Sequence, residues 1–138
     1  MNSNEQAVMT AVGAFLVAYT QADIVTCMAA LSTQRPLMLM GTNEDEVICT
    51  HEAAKKLFEA DFKCMSGLRW GLYQQQWVAT SADLASVIIA LPLTYRHADK
   101  DVTVQFRYAF TLACEEKQWK ICAAVACVPR PAQTYAFP

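Results

Sequence analysis

"VTVQFRYAFTLAC", from Val102 to Cys114, is the stretch on which the fold turns. Val104, Phe106, Tyr108, Phe110 and Leu112 fall on one parity, and Thr103, Gln105, Arg107 and Thr111 on the other. Side chains of a strand alternate between two faces, so this pattern reads as a long β-strand with one apolar face and one polar face. Three more stretches of strand character surround it: "LRWGLYQQQWVA" (Leu68–Ala79), "LASVIIALPLTYR" (Leu84–Arg96) and "WKICAAVAC" (Trp119–Cys127). The pieces between them, "TSAD", "HADKD" and "EEKQ", are short and polar. Parallel strands need a crossover of a dozen residues or more, so these connections imply an antiparallel meander. Pro92 has no N–H for a ladder and is expected at a bulge or an edge. The inward set on Val104–Leu112 holds only if no bulge interrupts it, because one slipped residue would bring Arg107 inside and turn Tyr108 out.

Outward from this sheet, towards the N-terminus, the period changes. Val8, Val12, Phe15, Leu16 and Tyr19 recur at helical spacing between Glu5 and about Gln21. Asp23 is placed to cap a second, short helix reaching Leu31, and Pro36 ends that unit ahead of "LMLM" (Leu37–Met40), a short buried strand. Thr50 then caps a third helix, with Glu52 suited to its first turn and Ala54, Leu57, Phe58, Phe62 and Met65 along one face. Glu52 with Lys56, and Glu59 with Lys63, stand at i,i+4 on the other side. The tail "VPRPAQTYAFP" (Val128–Pro138) reads as irregular. Helices first and strands after give an α+β class, a curved antiparallel sheet wrapped around helices packed on one face.

At 138 residues without repeats or linkers, the chain is expected to form one domain over residues 1–138. Its hydrophobic share of 54% is high and its charged share of 17% low, which suggests that some surface is hidden in a homo-oligomer. A net charge of −2 with no basic run gives no footprint for nucleic acid or an anionic membrane. No apolar run is long enough to span a bilayer, and "MNSNEQAVM" lacks the features of a signal peptide, so a cytoplasmic protein is expected. Cys27, Cys49, Cys64, Cys114, Cys122 and Cys127 form no CxxC pair and read as free, buried thiols. The two histidines, His51 and His97, lie at ligand spacing from no cysteine, and no metal or cofactor is expected.

Three segments in this order, "AYTQAD" (Ala18–Asp23), "MGTNEDE" (Met40–Glu46) and "FTLACEEKQWKI" (Phe110–Ile121), resemble the nuclear-transport-factor-2-like superfamily and, within it, the SnoaL-like group. The resemblance covers nearly the whole chain. It implies a cone-shaped α+β barrel with an internal cavity between the long helix and the concave sheet, and a homodimer formed through the sheet's outer face. The group includes isomerases, cyclases, dehydratases and hydrolases as well as members without catalysis, so the residues must decide. Ketosteroid isomerase chemistry needs a carboxylate base, a tyrosine and a neutral acid. Aligned on Asp23, Phe15 stands in the tyrosine's place, Met40–Thr42 supply no base, and the second acid falls near Phe110. The "HxHxS" that often follows the last Trp-x-Ile is replaced, after Trp119-Lys120-Ile121, by Ala123, Val125 and Cys127.

What remains is an aromatic set, Phe15, Tyr19, Phe106, Tyr108 and Phe110, expected to line the cavity and meet a small hydrophobic molecule. Tyr19 and Tyr108 could each orient such a ligand or simply bond a backbone carbonyl in the core. "HEAAK" (His51–Lys55) misses the second histidine of HExxH, and the acids Glu44, Asp45 and Glu46 read mainly as loop and cap residues. Asp45 and Glu46 are the remaining candidates for a general base. Arg107 is expected to face away from the cavity, His97 to be exposed in a charged turn, and Trp70, Trp77 and Trp119 to serve packing. Three functions stay open: a binding module for a small hydrophobic molecule, a SnoaL-like acid–base enzyme, and a non-catalytic dimerisation domain.

Overall fold

A computed structural model describes residues 1–134. Helix α1 (Ser3–Thr20) starts two residues before its expected first residue, because Asn2 and Glu5 close a reciprocal cap: Glu5 N–H donates to Asn2 Oδ1 at 2.8 Å and Asn2 N–H to Glu5 Oε2 at 3.2 Å. Its buried stripe contains all five expected residues plus Met9 and Ala18. Asp23 caps α2 (Ile24–Ala29) by accepting from Thr26 N–H, and Thr50 caps α3 (His51–Cys64) by accepting from Ala53 N–H. Helix α2 is shorter than expected. Leu31 instead bridges to Ile121 of the sheet.

The seven strands are β1 (Met38–Met40), β2 (Val47–Ile48), β3 (Ser66–Trp70), β4 (Gln75–Thr80), β5 (Leu84–His97), β6 (Lys100–Glu115) and β7 (Gln118–Cys127). They form one curved sheet in the order β2-β1-β7-β6-β5-β3, with β4 also on β5. The sheet does not close, so the cone is open between β2 and β3. All pairings are antiparallel except β1 with β7, which run parallel. Of "LMLM" only Leu37 and Leu39 are buried; Met38 and Met40 point outward, so β1 is half-buried rather than buried. The β5–β6 and β6–β7 hairpins turn on only two residues each. Ala98 and Asp99 (φ 51° and 63°) and Glu116 and Lys117 (φ 51° and 66°) take the paired positive φ of the tight turn that fits strand twist.

The stretch Leu68–Ala79 is two strands, not one. Pro92 is the cause: β6 pairs with β5 unbroken across it, but on the other side β3 ends opposite Leu93 and β4 begins opposite Ala90. Gly71 crosses at the gap and donates to Pro92 O at 2.8 Å. A Cβ at position 71 would lie 2.4 Å from Pro92 Cγ, so only glycine permits this approach.

Glu115, read from sequence as part of a polar turn, is only 6% exposed, which makes its partners structurally necessary. It accepts from the hydroxyl of the fully buried Ser32 and from Thr33 N–H at 3.2 Å, while His51 Nε2 lies 2.8 Å from Ser32 O. These bonds pin the segment after α2 to the start of α3 and the end of β6. The cysteines are all free, as read, but only Cys27 and Cys122 are buried; Cys114 is half-buried, and Cys49, Cys64 and Cys127 are exposed. Glu52 and Lys56 pair at 3.3 Å on the solvent side. The C-terminal segment has no strand from 128 to 134, and its expected irregular end, 135–138, lies outside the described residues.

Candidate functional site

Helix α1, helix α3, the β1–β2 loop and the concave face of the sheet enclose a pocket of about 460 Å³. Strand β6 supplies its wall. No bulge falls between Val104 and Leu112 on β6, so Phe106, Tyr108 and Phe110 stand in one file, their ring centroids 5.7 and 5.0 Å apart and nearly parallel. Trp70 meets Phe106 and Tyr108 edge-on at 5.8 and 6.0 Å, and its Nε1–H donates to Leu16 O at 3.0 Å, tying α1 to β3. Phe15 and Tyr19, one helical turn apart on α1, face this file, with Phe58 of α3 packed 5.8 Å from Phe15. All five aromatic residues singled out from sequence therefore border the pocket. Arg107 is exposed on the opposite face.

The last strand departs from the expected alternation. The β6–β7 register shifts between Thr111 and Leu112, leaving Cys122 as an extra residue on β7. Beyond it Ala124, Ala126 and Val128 line the pocket, while Val125 and Cys127 are exposed. The positions compared with the histidine motif thus miss the cavity, and the residues that do reach it are apolar.

The polar centre of the pocket is a residue the sequence reading passed over. Asp61 of α3 accepts a hydrogen bond from the Tyr19 hydroxyl at 2.7 Å. Neither a ligand handle alone nor a backbone carbonyl describes Tyr19; its partner is a carboxylate. Burial pushes the Asp61 carboxyl above its ordinary range, the Tyr19 bond pulls it back in part, and the charge of Glu46 adds to the rise. Burial, and then the Asp61 charge, push the Tyr19 phenol upward. Tyr108 is raised by burial first and then by Asp61 and Glu46. Its hydroxyl borders the pocket and has no hydrogen-bond partner among the described residues.

Of the two acids expected at the rim, Glu46 lines the pocket, half-buried, and its Oε1 accepts from Asn43 N–H at 2.8 Å. Asp45 is exposed and borders no part of it. His97, expected to be merely exposed, lies at the mouth with Nδ1 3.3 Å from Cys64 O; a carbonyl only accepts, so that nitrogen carries the proton. A signal for Asp61 was present in α3. It stands on the apolar stripe, three residues after Phe58 and one before Phe62, with Leu57 and Met65 rather than a lysine at i±4.

Comparison with known proteins follows the same lines. The fold matches a candidate dehydratase of the nuclear-transport-factor-2-like family from Streptomyces avermitilis, with a TM-score of 0.84 at 12% identity over 94% of this chain and 98% of that one. It also matches a ketosteroid isomerase-like protein from Erwinia carotovora atroseptica, TM-score 0.79 at 19% identity over 95% and 100% of the two chains. A third match is a nuclear-transport-factor-2-like protein of unknown function from Pseudomonas putida, TM-score 0.80 at 14% identity over 96% and 91%. At such identities the likeness is one of fold. No curated protein sequence matches the chain. Residues 8–131 match the SnoaL-like domain, and the chain therefore belongs to the SnoaL-like family.

Proposed function

We propose that the chain binds a small, largely apolar molecule in the pocket between α1, α3 and the sheet. The observation that carries this reading is Tyr108, which lines the pocket and whose hydroxyl has no hydrogen-bond partner among the described residues. A phenol in a largely apolar pocket has unused hydrogen-bonding capacity, and a bound molecule offering an acceptor or donor would use it. The pocket's size suits such an occupant: about 460 Å³ lies within the roughly 300–1,000 Å³ of small-molecule sites. The test is native mass spectrometry on gently purified protein, with organic extraction of whatever accompanies it. Extra mass of small-molecule size is expected, and Tyr108→Phe should weaken retention by roughly 2- to 10-fold, the worth of one neutral hydrogen bond. Bare protein that also gains no thermal stability from a library of ring-sized fragments would refute the reading.

Asp61 favours a second reading, acid–base chemistry on the bound molecule. A half-buried carboxyl held above its ordinary range and bonded to a phenol is suited to exchange a proton with a ligand. On this reading Asp61 takes the part first considered for Asp45 or Glu46.

The chain is further proposed to pair with a second copy through the outer face of the sheet. Trp77, Ile88, Ala109, Val125 and Met40 are successive register partners on β4, β5, β6, β7 and β1. Trp77, Ile88, Val125 and Met40 are 52, 49, 47 and 40% exposed, so this apolar row is uncovered in the single chain. Ile88→Glu is expected to weaken a dimer at least about 30-fold, read as a shift to monomer in sedimentation at micromolar protein. A wild-type monomer under those conditions would dismiss the interface. The six unpaired cysteines fit a reducing compartment, consistent with a cytoplasmic protein. Among the described residues, no helix is long and apolar enough to cross a membrane.

A further inference from the structure

The charge of the pocket is one-sided. Two carboxylates, Asp61 and Glu46, border it, and among the described residues no lysine or arginine does; the one basic ring on the lining, His97, stands at the mouth against Cys64 O. Both acids line the same pocket as Tyr108. Only one Asp61 oxygen is engaged: Oδ2 accepts from Tyr19, and Oδ1 has no hydrogen-bond partner among the described residues. The remaining wall is mostly apolar, aliphatic as well as aromatic, with the stacked file of Phe106, Tyr108 and Phe110 beside Tyr19.

We infer that the pocket is shaped for an organic cation, a protonated amine carried on an apolar, ring-sized body. The inference deepens the binding reading above and rests on it. The ammonium lies at the free Asp61 oxygen, within the field of Glu46, and donates a charge-assisted hydrogen bond. The body lies along the β6 rings. A neutral ligand would leave the paired acids uncompensated, and an anionic one would meet both of them.

Three probes with one naphthalene body separate these cases in calorimetric titration: naphthylmethylamine, naphthylmethanol and naphthoic acid. The amine is expected to bind about 10- to 100-fold more tightly than the alcohol, with the acid weakest, from one charge-assisted bond. Asp61→Asn keeps an acceptor for Tyr19 but removes the charge, and should bring amine and alcohol within about 3-fold of each other. Glu46→Gln, at the rim and away from the Tyr19 bond, gives a smaller loss in the same direction and serves if Asp61→Asn folds poorly. Alcohol binding as tight as amine binding would overturn the cation inference and leave the binding reading standing. A preference for amine that survives both substitutions would also overturn it. Binding of none of the three probes, together with bare protein in native mass spectrometry, would remove both readings.

Discussion

Replacing Phe110 with alanine is expected to cost about 3–5 kcal/mol of folding stability and to lower Tm by roughly 10–20 °C. Phe110 is 2% exposed and joins two layers of the core. Its ring stacks on Tyr108 at 5.0 Å and meets Phe15 of α1 edge-on at 6.4 Å. The cost has two parts, the lost transfer of the ring out of water and the cavity it leaves behind. The second part should be near its full value, because the removed ring borders a space that is already open and the neighbours cannot collapse across it. Phe110→Leu keeps most of the volume and should cost less than about 2 kcal/mol. Chemical denaturation of the two variants checks the difference. A loss below about 1 kcal/mol for the alanine variant would mean that the β6 file does not hold α1 on the sheet.

The Tyr19–Asp61 pair should show strong coupling. Tyr19→Phe leaves a half-buried carboxylate without its donor and is expected to cost about 1–3 kcal/mol. Asp61→Leu leaves a buried phenol without its acceptor and should cost a similar amount, about 1–3 kcal/mol. Together they replace a bonded pair by apolar groups, so the double variant should be far less destabilised than the sum, with a coupling of about 1–3 kcal/mol. Additive losses would show that the bond contributes nothing.

The pair also carries a pH signature. A free aspartate titrates near about 3.9, and Asp61 is raised above that in the folded protein, chiefly by burial. Between the two values the folded state binds more protons than the unfolded one. The contribution of Asp61 is therefore fully present below the unfolded value and is lost as pH rises through the folded one. Asp61→Asn cannot titrate, so the stability gap between it and wild type should move in its favour over that window and stay level above it. Urea unfolding at a series of pH values reads this directly. A gap that does not change with pH would contradict a raised Asp61.

Local periodicity carried much of this protein in plain view. Val104 to Leu112 alternate, Val8 to Tyr19 recur at helical spacing, and Asp23 and Thr50 announce helix starts; each pattern is complete within one element. The aromatic wall followed from the same rule, since residues two apart on β6 must share a face. Pro92 was legible as an interruption, though not as the reason one apparent strand becomes two, because its effect falls on a neighbour some twenty residues earlier in the chain. The Cys122 bulge was not legible either: nothing in "KICAAVAC" departs from strand composition, and one extra residue exchanges the inner and outer sets beyond it.

Which residues can act together was decided at longer range still. Tyr19 and Asp61 are separated by 42 positions, and neither points to the other in the sequence: one is a tyrosine on the apolar stripe of α1, the other an acid on that of α3. Their bond exists because α1 and α3 pack side by side over the sheet, and Asp61 is shifted because that packing removes water from it. Glu115 and Ser32 make the same point at 83 positions. The sequence by itself determined the two long helices, the faces of β6 and the family, since those depend on spacing along one chain segment. The tertiary structure alone decided the polar centre of the pocket, because hydrogen bonding and desolvation depend on what the fold brings within a few ångströms.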